Sequence, residues 1–236
     1  MNKTVIITGA TRGIGLALAK KFKSKGYNVV GTYVSSSIKA EELKKQNIDI
    51  LKADVSSFNE MQSVFSYAIN KYGKIDVVIN NAGVCLEQKF VLDVSEEEFD
   101  KVMNINLKGT FNVTKLAVSN MLSCGGVILN VNSLFALKGG SCEAVYSASK
   151  AGALAFTRSV AEEVESSNLS LCSVLLGLID TDMNKHLTNE EKLDFVKSCG
   201  LKKVPTASSV ANKIFAILNK KELNGKVFKI FVGKFL

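Results

Sequence analysis

Tyr146 and Lys150 lie four residues apart in the run Tyr146-Ser147-Ala148-Ser149-Lys150, inside a strongly helical segment, and Ser133 ends an apolar strand-like run thirteen positions before the tyrosine. On a helix, positions i and i+4 stack on one face, so the lysine ammonium can sit beside the phenol oxygen. At about 5 Å and an effective dielectric of about 20, the charge would favour the phenolate by roughly 3 kcal/mol, or about two pKa units below the ordinary ~10. A tyrosine so placed is a usable acid, and proton exchange near neutral pH is the chemistry these residues suggest.

Other chemistries lack material. The five cysteines (Cys85, Cys124, Cys142, Cys172 and Cys199) are scattered, odd in number and without a CxxC pair. That argues against a disulfide framework or a zinc site, and for reduced thiols. With His186 as the only histidine, neither a serine hydrolase triad nor a His-based metal centre can be assembled, and no metal is expected. Cys142 as a nucleophile has no partner histidine. The net charge of +8 is spread in lysines along the chain, which reads as solvated helix faces. Tryptophan is absent and no recognition motif appears, so nucleic acid is not the expected target.

These residues must be held by something, and the apolar pattern says what. Strand-like runs recur at Thr4 to Thr8, Asn28 to Tyr33, Ile48 to Lys52, Asp76 to Asn80, Val127 to Val131, Leu169 to Leu175 and Val227 to Val232. Helical spacing fills the intervals, as in Leu16, Ala19, Lys20 and Phe22, or Met61, Val64, Phe65, Ala68 and Ile69. This alternation predicts a doubly wound α/β fold: a seven-stranded parallel sheet with helices on both faces and right-handed crossovers. At 236 residues and 47% hydrophobic content, one domain over residues 1–236 is expected. The polar stretch 181–201 interrupts the alternation and is read as a substrate lid. The apolar runs are too short to cross a bilayer, and the chain enters its first strand at once without room for a signal peptide; a cytoplasmic location is expected.

The first strand runs into Thr8-Gly9-Ala10-Thr11-Arg12-Gly13-Ile14-Gly15 and then a helix. A glycine loop opening a helix brings backbone N–H groups and the positive helix end against a pyrophosphate. The spacing is GxxxGxG rather than GxGxxG. A site for NAD carries an acid at the end of the second strand to bind the ribose hydroxyls; here Tyr33 stands there, no acid occurs before Glu41, and Ser35, Ser36, Ser37 and Lys39 follow. With Arg12 in the loop, a 2′-phosphate would be welcome, which favours NADP(H) over NAD(H).

Together these pieces resemble the classical short-chain dehydrogenase/reductase family over nearly the whole chain. Gly9, Gly13 and Gly15 fit its cofactor loop, Asp54-Val55 its adenine contact, Asn80-Asn81-Ala82-Gly83 its central-strand signature, and Asn106, Ser133, Tyr146 and Lys150 its catalytic tetrad. The resemblance implies a cofactor site drawn from Gly9, Thr11, Arg12, Gly13, Ile14, Gly15, Tyr33, Ser35, Asp54, Val55, Asn81, Ala82, Gly83, Tyr146 and Lys150. Ile179 and Thr181 would add contacts on the nicotinamide side. It implies that Tyr146 gives a proton to a carbonyl oxygen as hydride reaches the carbon. Lys150 would tune the phenol and bind the cofactor ribose, Ser133 would orient the carbonyl, and Asn106 would hold a relay water. It also implies a homodimer or homotetramer. Two departures stand out: Leu176-Gly177 replaces the usual Pro-Gly, and Phe231-Val232-Gly233-Lys234-Phe235-Leu236 replaces an Asp-Gly-Gly ending. The second makes a helix-paired interface the more expected one.

Within the family the chain looks most like 3-oxoacyl-acyl-carrier-protein reductases, which implies a β-keto thioester substrate and acyl carrier protein as a partner. Leu134, Phe135, Glu143, Gly177 and Leu178 are the expected substrate wall. The loop Gly139-Gly140-Ser141-Cys142-Glu143, with Asp182-Met183-Asn184 and Leu187-Thr188, resembles instead a subgroup that reduces an aminopentanone attached to a lysine of elongation factor P. There a rim carboxylate would pair with a substrate amine. A cofactor-binding regulatory protein without turnover is the alternative of another class.

Overall fold

A computed structural model describes residues 2–185 and 187–233. His186 and the terminal Lys234, Phe235 and Leu236 lie outside the described residues, as does Met1. The strands are β1 (Thr4–Ile7), β2 (Asn28–Tyr33), β3 (Asp49–Lys52), β4 (Val77–Asn80), β5 (Gly126–Ser133), β6 (Leu169–Leu176) and β7 (Val227–Ile230). They pair in parallel in the order β3-β2-β1-β4-β5-β6-β7. The chain builds outward from β1 in one direction, then returns to its other side with β4. The carboxyl ends of β1 and β4 therefore flank the switch point where such sheets open a ligand crevice.

Near-continuous Val/Ile/Leu runs mark strands covered on both faces, and Val5, Ile6, Ile7, Val78 and Ile79 are all fully buried, at most 0% exposed. One face is covered by α1 (Gly13–Ser24), α2 (Ser37–Lys44) and α9 (Ala207–Ile217), the other by α3 (Phe58–Tyr72), α5 (Gly109–Met121) and α7 (Ala144–Glu163). On the first face Phe22, Tyr27 and Phe215 meet edge to face, with Phe22 4.9 Å and 5.2 Å from the other two ring centroids. The remaining helices are α4 (Glu96–Met103), α6 (Phe135–Lys138) and α8 (Asn189–Ser198).

A buried amide chain ties these layers together. Asn80 and Asn130 are register partners on β4 and β5, and the Asn80 amide donates to Asn130 Oδ1 at 2.9 Å and to Thr114 Oγ1 of α5 at 3.2 Å. Asn130 in turn donates to Thr157 Oγ1 of α7 at 2.8 Å. Polar groups in so dry a place persist because each has a partner.

Candidate active site

At the glycine loop the sequence dictates both a close approach and an open helix end. Gly15 lies so near the Gly9 carbonyl that a Cβ would collide with it. Ala10 N donates to Thr32 O at 2.8 Å, binding the loop to β2. Helices α3, α4, α8 and α9 are each capped by a Ser or Thr side chain, whereas α1 has no side-chain cap and no acid in its first turn. Its N-terminal amides and dipole are thus left for an anion. Arg12 is exposed there, while Thr11 is buried and Ile14 packs against the core. Gly13, at φ +50°, faces Thr181 across the crevice.

The expected adenine side is assembled as well. Tyr33 ends β2, half-buried against the core, and Ser35 is exposed beyond it. Lys39 is engaged with Glu42 at 2.8 Å. Asp54 accepts from Ser56 N at 2.8 Å, and Val55 is buried, its carbonyl held by Asn112 at 2.9 Å. The Asn81 turn is locked to β1: Asn81 N and Ala82 N both donate to Thr8 Oγ1 at 3.0 Å. Glycine at 83 leaves room next to two of the expected tetrad, since a Cβ there would stand 3.3 Å from Asn106 Oδ1 and 3.4 Å from Lys150 Nζ. The cradle, the uncapped helix and the lysine beside Gly83 fit a dinucleotide.

Asn106 lies in a π-helical turn, Asn104–Lys108, between α4 and α5. Its side chain is fully engaged: it donates to Val84 O at 2.9 Å and to Ser149 Oγ at 3.0 Å, and accepts from Val84 N at 2.9 Å. Ser149 passes the contact to the Tyr146 carbonyl at 2.7 Å. Ser149 was not among the expected site residues; its signal is only its place on the helix next to Lys150.

The structure brings Ser133, Tyr146 and Lys150 together, but with electrostatics opposite to the charge argument from spacing. The phenol pKa is raised, not lowered: burial dominates, while a hydrogen bond with Ser133 pulls the other way. Lys150 is 7% exposed, and burial lowers its ammonium to about 8. Its Nζ donates to Val131 O at 3.2 Å and lies 5.8 Å from the centroid of the Tyr146 ring. Desolvation is the largest influence on both groups.

Around the phenol, Phe135 packs edge to face on Tyr146, with centroids 6.5 Å apart. Leu134 is instead 2% exposed, packed with Leu154, Leu175 and Val232, a core position rather than a pocket wall. Gly177 passes tightly against Phe231 and Leu178 is half-buried. Glu143 is half-buried at the start of α7 beside a recess lined by Leu86, Val94 and Tyr146; burial raises its carboxyl, and a hydrogen bond with Gln88 opposes that. Cys85, another residue the sequence did not single out, lies close enough to interact with Tyr146, Lys150 and Glu143, and its Sγ is 3.9 Å from Met183 O. Ile179 is buried and Thr181 half-buried. Among the described residues no group of His, Cys, Asp and Glu could hold a metal ion, and no helix is long and apolar enough to cross a membrane.

A parallel sheet with a glycine turn at its switch point and a Ser-Tyr-Lys cluster beside it defines a nicotinamide oxidoreductase of the Rossmann type. The family model for short chain dehydrogenase matches residues 3–192, and the chain belongs to that family. Its curated relatives include the 3-oxoacyl-[acyl-carrier-protein] reductase FabG of Staphylococcus epidermidis, 30% identical with both chains fully covered, and that of Staphylococcus aureus, 31% identical over 100% of this chain and 99% of the relative. Among solved structures it resembles ElxO with NADP bound, with a TM-score of 0.88 at 27% identity over 98% of this chain and 97% of the other. A tyrosine-to-phenylalanine variant of ElxO with NADPH bound gives a TM-score of 0.87 at 26% identity, covering 97% of each chain.

Proposed function

We propose that this protein is an NADPH-dependent reductase of 3-oxoacyl thioesters carried on acyl carrier protein. The observation that carries the reading is the joining of Ser133, Tyr146 and Lys150 beside Gly83, opposite an uncapped helix end. FabG relatives matched over their whole length support the substrate class. The exposed Arg12 and the absence of an acid between Tyr33 and Glu41 support NADP(H), as do the NADP-bound neighbours.

When bound, the nicotinamide cofactor supplies hydride to the carbonyl carbon. The Tyr146 phenol, kept protonated by burial, gives its proton to the carbonyl oxygen. The Ser133 hydroxyl, already hydrogen-bonded with that phenol, orients the carbonyl and stabilises the charge developing on its oxygen. Lys150 would hold the cofactor ribose and restore the proton, and Asn106 fixes the turn on which that route depends. Thr11, Arg12 and the α1 amides would hold the phosphates, Asp54 and Val55 the adenine, and Ile179 and Thr181 the carboxamide side. One unit over residues 1–236, with the 181–201 segment as its lid, carries the site. Exposed Phe99, Phe111 and Leu122 on and beside α4 and α5 support self-association through helices.

A second reading has one specific observation behind it. Glu143 makes no ion pair among the described residues, while the nearby Lys89 is taken by Glu98 at 2.7 Å. A rim carboxylate without a cationic partner suits a ketone bearing an amine, such as the aminopentanone group on a protein lysine. Loss of NADPH absorbance is therefore followed with acetoacetyl thioesters and with amine-bearing ketones. Preference for the thioesters is expected; preference for the amines favours the second reading, and cofactor binding without consumption favours a silent regulator. Tyr146→Phe should lower kcat by about 10²–10⁴-fold while leaving NADPH binding within about twofold of the original; an active Tyr146→Phe protein would refute the acid assignment.

A further inference from the structure

We infer that Lys192 is a positioning residue that ties helix α8 to the loop carrying Ile179 and Thr181 through Asp180, and that this pin sets cofactor affinity. The inference rests on the reading of Ile179 and Thr181 as cofactor contacts.

Lys192 and Val196 are the buried residues of α8, and Lys192 is 8% exposed, comparable only to Lys150 among the buried lysines. A cation withdrawn this far from water needs a partner. Its Nζ lies 3.0 Å from Asp180 Oδ1, and Asp180 sits between the two expected cofactor contacts in sequence. The loop end of this pair is immobilised separately: Asp180 N donates to Pro205 O at 2.9 Å, and Asp180 forms an isolated bridge with Thr206, the residue that caps α9. The ion pair therefore fastens α8 to a fixed point.

A second pin runs in the same direction. Asn184, in the short 3₁₀ turn Asp182–Asn184 that leads toward α8, donates its amide to Ile179 O at 2.9 Å. Next to it, Met183 O meets Cys85 Sγ at 3.9 Å on the catalytic side. The loop Ile179 to Thr181 is thus tied to the 3₁₀ turn through Asn184 and to α8 through Lys192, and Thr181 faces Gly13. Releasing the helix removes the side-chain tie at Asp180 and leaves the Asn184 bond and the backbone contact with Pro205 to hold the loop that carries Ile179 and Thr181.

The test is direct binding of NADPH to the full chain, followed by its fluorescence, for Lys192→Met, Asp180→Asn, the double variant and Lys192→Arg. The expected result is a Kd raised about fivefold in each single charge-removing variant, as for loss of one charge-assisted hydrogen bond. No further loss is expected in the double variant, and substantial recovery is expected in Lys192→Arg. In turnover the effect should fall on the KM for NADPH and spare kcat, and amide hydrogen exchange in α8 should quicken. Variants that lose thermal stability yet keep NADPH affinity within twofold overturn the inference and leave the proposed reaction intact. A parent chain that binds no nicotinamide cofactor overturns both.

Discussion

At the scale of single residues, the tyrosine and lysine were legible from their spacing, but the sign of their pKa shifts was not. Four-residue spacing fixes which face the two side chains share; it says nothing of how much water each loses, and that loss decides the outcome here. Two opposite pH dependences follow from Lys150. Its ammonium titrates at about 8 in the folded chain against an ordinary 10.5, so between those values the unfolded chain holds more protons and the lysine's contribution to stability rises with pH. The proposed reaction needs the charged form, so kcat/KM for reduction should fall about tenfold per unit above pH ~8. Rate profiles beside urea midpoints for the parent and Lys150→Met should show activity declining while the parent's stability relative to the variant improves. A flat rate profile from pH 7 to 10 would show that Lys150 keeps its proton.

Among elements, strands and helices followed from apolar periodicity because covered parallel strands and amphipathic helices leave distinct patterns. The π turn at Asn104–Lys108 left no such pattern, since an extra residue in a helix is visible only in its hydrogen bonds. For the same reason Asn106 reads as a helix asparagine in sequence but is a clamp on Val84, 22 residues earlier, in three dimensions. Asn106→Ala should strand both backbone groups of Val84 and remove the donor to the Ser149 hydroxyl, costing about 2–4 kcal/mol in denaturant unfolding. A cost below about 1 kcal/mol would mean that solvent replaces the clamp without penalty. Lys192 was hidden in the same way, among the charges of a helix whose pattern reads as solvated until its neighbours are known.

For the whole molecule, charge and topology carry the argument. A net charge of +8 would attract the proposed carrier at long range if that carrier is acidic, and exposed charges are screened as salt rises. The KM for a carrier-bound 3-oxoacyl substrate should therefore rise about fivefold or more between about 0.05 and 0.5 M KCl, while that for a small uncharged thioester stays nearly constant. Equal salt responses for the two substrates would remove the carrier from the account. A doubly wound parallel sheet was implied by alternation, but the order of its strands, and with it which two flank the crevice, is displayed only by the paired sheet.

The Asn80–Asn130–Thr157 chain deep in the sheet has a consequence for how the two sides of the crevice stay aligned. Sliding β4 along β5 by one residue would leave several dry polar groups unmatched at once. The chain thus acts as a vernier: the Asn81 turn rides on β4, the tyrosine and lysine ride on α7, and one set of interior contacts indexes both. The gauge of the crevice is kept in the middle of the molecule, well away from the loops at its rim.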